Sequence, residues 1–320
     1  MTRVSIAIVL VGTLLTTIAA AQDSLPKVEL GPNANLGGAR LLPGDSPWHK
    51  DISKEPVDPN SARILARIGM DKTLRADFGT VWEGAPIGIP YIVVSKSQPK
   101  VPVALTYADE SDPGPYPIPP NAPIEGGPKG TGDRHVLVLD RDTWQLWELF
   151  NAFPDGKGGW KADGGALWDL KKNQVRPAGW TSADAAGLPI LPGLVRYDEA
   201  VGKKAVEHAL RFTVSKTRRA YVPPASHWAS SLHDGDLPPM GMRVRLKAGF
   251  DISGFAPEVR AILQALKTYG MILADNGSDL FISGAPDPRW NDDTLRQIMR
   301  VKGNDLEVVE MKGTVIDRRR

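Results

Sequence analysis

The 320-residue chain contains no cysteine. Disulfides and thiolate metal sites are excluded, and stability must come from a buried apolar core, for which this length is ample. There is little excess of charge either: 39 Lys and Arg against 37 Asp and Glu leave a formal +2. Phosphate backbones are held by clustered basic charge, so nucleic acid is not an expected partner. The terminal "DRRR" reads as a solvated end. Beyond the first 21 residues no segment is long and apolar enough to span a bilayer. Compact catalytic motifs are missing as well. No GxGxxG follows a strand, and GxxxxGK[ST], HExxH and GxSxG do not occur. Nucleotide-dependent enzymes, zincin proteases and α/β-hydrolases therefore lack their signatures.

What is present begins with a secretory signal. Arg3 supplies the positive region, "VSIAIVLVGTLLTTIA" the short apolar core, and Ala19-x-Ala21 a cleavage site before Gln22. The apolar run is short for a membrane anchor and ends in small residues. The mature chain is expected to be secreted or periplasmic, off the membrane once the signal is cleaved, and monomeric.

With 32 glycines and 28 prolines, apolar residues fall in short runs between turn signals. This pattern predicts a mainly β protein, a single domain of β-sandwich or jelly-roll type with a few peripheral helices. Strands are expected at 89–95, 101–108, 134–142, 143–153, 208–215, 242–250, 271–277 and 279–285. "LVLDRDTWQLWELF" reads as one hairpin, and "MILADNGSDLFIS" as a second turning at Asn276-Gly277. Helices are expected at 59–69, 256–270 and 291–301; the second has Pro257 in its first turn and Gly270 as its stop. The organisation is then a signal peptide (1–21), an N-terminal arm with one short helix (22–79), a β-rich main domain (80–312) and a basic tail (313–320).

One stretch decides between one domain and two. "YADESDPGPYPIPPNAPIEGG", residues 107–127, holds six prolines. A flexible linker would be rich in Gly and Ser. Here Tyr107, Tyr116, Ile118 and Ile124 punctuate the prolines, which favours an extended strap with faces that pack.

Candidate chemistry rests on carboxylates, histidines and aromatics. Asp140 and Glu148 flank the first hairpin's turn, where a cleft would use one as acid and the other as base or nucleophile. Strand-end acids that face water or pair with Arg134 and Arg141 are the structural alternative. Glu199 and His208 form a second candidate pair, with Arg196 nearby. The loop "PPASHWASSLHDGDLPPMG" carries His227, Trp228, His233, Asp234 and Asp236, atoms suited to a metal at a spacing that matches no established site. Nine tryptophans suit sugar rings, which offer apolar faces, although many must pack in the core. Trp144, Trp180 and Trp228 are the stacking candidates; His135, Arg196 and His227 would orient substrate.

The strings "GDRHVLVLDRDTWQLWELFNAF", "RPAGWTSADAAGLPILPGLVRYDE", "HALRFTV", "PPMGMRVRLKAGFDISGF" and "ILQALKTYGMILADNGSDLFISGAPDPRWND", with the proline-rich stretch, resemble a family of largely uncharacterised exported bacterial proteins. The resemblance covers most of residues 45–310. It implies a secreted β-rich domain, sometimes joined to sugar-binding modules, and carries over no catalytic residue. The reading is a secreted carbohydrate-active protein, a polysaccharide hydrolase using a carboxylate pair and no cofactor. A non-catalytic glycan-binding or envelope-associated module and a metal-dependent hydrolase are the alternatives.

Overall fold

The computed structural model describes residues 28–316. The expected signal peptide (1–21) and the final "DRRR" lie outside the described residues. The chain is mainly β, with sheets of five and six strands, three smaller ones and few helices. Both large sheets mix parallel and antiparallel pairs. Among the described residues no sheet closes into a barrel, and no helix is long and apolar enough to cross a membrane.

The first sheet runs Gly31–Pro32, Tyr91–Val94, Val136–Asp140, Gln145–Phe150, Gly164–Asp169. Its centre is the expected hairpin, in which Asp140 faces Gln145 and Leu137 faces Glu148. Tyr91–Val94 joins in parallel, with Tyr91 opposite Leu137. Alternation places Leu137, Leu139 and Leu146 on one face with Tyr91 and Trp144. Val136, Val138, Trp147 and Leu149 line the other. Both faces are buried, which explains runs as apolar as "VLVL".

The proline-rich stretch covers the second face. Tyr116 and Ile118 are buried there, and Tyr116 bridges to Val101. Each side chain contributes about 1.5–3 kcal/mol by leaving water. Residues 107–127 thus form a strap. Gly165 lets it approach: a Cβ there would lie 2.6 Å from the Tyr116 hydroxyl and 3.2 Å from Leu149. Gly165→Ala should therefore cost about 1–3 kcal/mol by pushing Tyr116 outward. Urea unfolding checks this; an unchanged midpoint would remove the strap from the account of stability.

The second sheet runs Leu306–Val308, Arg243–Leu246, Met271–Asn276, Leu210–Val214, Phe281–Ser283, Arg75–Asp77. Here an expectation fails. Met271–Asn276 and Phe281–Ser283 do not form a hairpin, because Leu210–Val214 lies between them. That strand is buried throughout, and the Asn276-Gly277 segment arches over its end; a Cβ on Gly277 would touch Thr213 at 3.0 Å. The pairing also slips. Phe212 faces Leu273, but Thr213 faces Asp275. The bulge re-aims the end of the strand.

The helix Pro257–Thr268 packs Val259, Ile262, Leu263 and Leu266 into the core beneath this sheet. The third expected helix is α-helical only over Asp292–Leu295 and continues as a 3-10 turn, Arg296–Arg300. The N-terminal arm is woven in. Gly31–Pro32 joins the first sheet, Arg75–Asp77 the second, and the helix Ser61–Ile68 buries Ile64, Leu65 and Ile68 in the same core as Pro257–Thr268.

Candidate functional site

The two large sheets meet at a polar cleft of about 160 Å3. Four carboxylates line it, Asp77, Glu125, Asp133 and Asp275, against two cationic side chains, His135 and Arg211. Each arrives by a different route. Asp77 ends the edge strand Arg75–Asp77. Glu125 comes from the strap, and its backbone N–H donates to the His135 carbonyl at 3.0 Å. His135 precedes the central strand of the first sheet. Arg211 sits on the central strand of the second sheet, and Asp275 is delivered by the bulge.

His135 is 1% exposed. Its Nδ1 lies 2.6 Å from Glu125 Oε2, and its Nε2 lies 3.0 Å from the Ala183 carbonyl oxygen. A carbonyl only accepts, so Nε2 carries a hydrogen; Nδ1 faces a carboxylate and carries one too. Burial alone would lower this pKa, but the Glu125 charge and hydrogen bond raise it to about 9. Glu125 responds in the opposite sense: burial would raise it, yet His135 holds it below the ordinary carboxylate range. The pair is imidazolium and carboxylate at neutral pH.

Behind it lies an arginine clamp. Asp184, fully enclosed, accepts from Arg211 Nε at 3.1 Å and Nη2 at 3.0 Å. The Nη2 group also reaches Asp275 Oδ2 at 3.0 Å, and Nη1 donates to Ser283 Oγ at 2.7 Å. Burial and the nearby Asp184 charge push Asp275 up to about 7, although Arg211 pulls the other way. Arg211 cannot prevail because its fork is committed to Asp184. Asp77 is also raised, by desolvation and then by Glu125, even though its side chain opens to solvent at the mouth. Acids of one cleft are thus pushed in opposite directions, Asp275 and Asp77 up and Glu125 down, a pattern concentrated at functional sites.

An aromatic stack adjoins the loop that Asn276 holds. Asn276, in the cleft lining, donates from Nδ2 to the Ala229 carbonyl at 2.7 Å. Next to Ala229, half-buried Trp228 stacks on Tyr221 at 5.7 Å and on His227 at 6.1 Å. His227 Nδ1 meets the Ala185 carbonyl at 2.7 Å, two residues from the carbonyl that holds His135.

The residues expected from sequence are placed differently. Asp140 and Glu148 do not form a pair. The register turns Asp140 toward the strap face and Glu148 toward the opposite one. Asp140 caps its own turn, accepting from the Asp142 N–H at 2.9 Å and the Thr143 hydroxyl at 2.7 Å. Glu148 is completely buried and accepts from the N–H groups of Ile190 and Leu191 and from Trp168 Nε1, at 2.9 to 3.0 Å. Glu199 and His208 do meet, Oε1 to Nε2 at 3.0 Å, and Arg196 binds Glu199 Oε2 at 2.8 Å. All three are buried, and Arg196 also donates to the Ala39 carbonyl, so this triad ties the arm to the core. Trp144 is packed in the first-sheet core. Trp180 is half-buried under the Arg176 guanidinium, 5.5 Å away. Of the expected residues, only His135 lines the cleft; His227 and Trp228 do not.

The histidine loop does not gather as a metal site. Asp234 and Asp236 pair with Arg67 and Arg63, and His233 points to solvent. Among the described residues no group of three or more His, Asp or Glu is arranged to hold a metal ion. Sequence reasoning missed Asp77, Glu125, Asp133, Asp184, Arg211 and Asp275. Two carried signals: Asp275 breaks the apolar run "MILA", and Glu125 ends the uncharged proline-rich run 113–124. Compared with family models, curated proteins and solved structures, the chain matches none.

Proposed function

We propose that this is a secreted carbohydrate-active protein whose cleft hydrolyses a polysaccharide, with Asp275 as general acid and Glu125 as the ionised partner. The observation that carries the reading is geometric: both acids line one cleft, Glu125 held 2.6 Å from His135 Nδ1 and Asp275 half-buried beside the Arg211–Asp184 clamp, so that His135 lowers the first and burial raises the second. Asp275 gives its proton to the glycosidic oxygen as the C–O bond breaks. Glu125, held charged by His135, takes a proton from the attacking water or attacks the anomeric carbon itself. The separation of the two carboxyls selects between these courses. Asp77 and Asp133 at the mouth accept hydrogen bonds from hydroxyls. Four acids against two cations favour a neutral or cationic glycan over a phosphorylated one. The resemblance to exported proteins, some joined to sugar-binding modules, supports the destination and the class of substrate. A sandwich-like stacking of the two large sheets about the cleft belongs to the same reading.

The pH profile of hydrolysis tests it. Asp275 must be protonated to act, and its proton leaves as pH rises through about 7. The expected kcat/KM falls tenfold per pH unit above about 7, while His135, charged to about 9, stays constant through that limb. A rate flat to pH 9 would contradict Asp275 as the acid.

A further inference from the structure

We propose that the hairpin of Val81–Trp82 and Ala85–Pro86 is an aromatic subsite of the cleft, on which Trp82 stacks against a sugar ring of the bound polysaccharide. The proposal rests on the carbohydrate reading of the cleft. The chain leaves the cleft at Asp77 and returns at Ile89, and both residues line it. The hairpin's base is closed by the Gly79 N–H donating to the Ile87 carbonyl at 3.2 Å and the Thr80 N–H donating to Asp292 Oδ1 at 3.0 Å. Its return strand borders the strap: a Cβ on Gly127 would touch the Ala85 Cβ at 3.8 Å, two residues beyond Glu125. The hairpin therefore rises from the rim between Asp77 and Glu125.

Its form is defined. Trp82 faces Ala85, and the two turn residues, Glu83 and Gly84, have φ of 50° and 81°. Two positive φ values in a two-residue loop match the twist of a tight hairpin. Its surface is not covered. Val81 is 59% and Trp82 66% exposed, whereas Trp144 and Trp168 are enclosed. A two-stranded ribbon has no core of its own, and among the described residues none encloses this indole. At the foot of the hairpin Asp77 lines the cleft with Glu125, Asp133 and Asp275. A polymer of sugars offers both partners: an apolar ring face for Trp82 and hydroxyl edges for the acids below.

Native electrophoresis of the mature chain in gels holding hydroxyethyl cellulose, xylan, galactomannan or glycol chitosan tests this. Trp82 is exposed, so Trp82→Ala keeps the fold, and circular dichroism verifies it. In a gel that retards the wild type, Trp82→Ala should weaken binding about tenfold, and Trp82→Phe less. Equal retardation of wild type and Trp82→Ala overturns the subsite and leaves the cleft reading standing. Wild type unretarded in every gel overturns the cleft reading, and the subsite with it.

Discussion

Asp275→Asn is expected to lower the rate of polysaccharide hydrolysis about 10²–10⁴-fold, the usual worth of a positioned general acid. Binding should survive, because Asn keeps the Oδ atom that accepts from Arg211 or from the Asn276 N–H, now 3.0 and 2.7 Å away. The loss should thus fall on kcat. Its pH dependence should change as well: the limb near 7 disappears with the group that titrates there. Kinetics on one soluble substrate from pH 4 to 9 check both effects. Equal kcat in variant and wild type would remove Asp275 from the chemistry.

Glu148→Ala is expected to cost about 3–5 kcal/mol of stability. The side chain satisfies three buried donors, Ile190 N–H, Leu191 N–H and Trp168 Nε1–H. Each donor left bare costs about 1–3 kcal/mol, and a cavity adds to it. The same carboxyl couples stability to pH. Burial raises its pKa from 4.5 to about 7, against the pull of its donors. Between those values the folded state binds more protons than the unfolded one, so this group's contribution declines as pH rises. Urea unfolding of wild type and variant at pH 5 and pH 8 measures both: the variant should be weaker at each pH and lose this part of the slope. A cost below about 1 kcal/mol at both would contradict the role of Glu148 as an anchor.

Alternation and turn residues made most elements legible. All eight expected strands occur within their ranges, and the strap was readable because Tyr116 and Ile118 interrupt its prolines. Glu199 and His208, nine residues apart, were also readable as neighbours. The second hairpin misled because Asn276-Gly277 is a local turn signal, while the insertion of Leu210–Val214 is a long-range event. The cleft was hidden for the same reason. Arg211 meets Asp184 and Asp275 across 27 and 64 residues, and His135 meets Ala183 across 48. No periodicity encodes such meetings, and the bulge that aims Asp275 has no signature in "MILADNG". Asp140 and Glu148 drew notice because acids stand out in a hairpin. Their burial reflects turn capping and donor satisfaction instead.

The most direct test of the cleft as a polysaccharide hydrolase is reducing-end release by residues 22–320. Plant, fungal and bacterial polysaccharides would be offered with and without EDTA, beside Asp275→Asn, Glu125→Gln and Asp140→Asn proteins. The account predicts release that survives EDTA and Asp140→Asn but is lost in Asp275→Asn and Glu125→Gln. Release that persists in both cleft variants, or that EDTA alone abolishes, would contradict it.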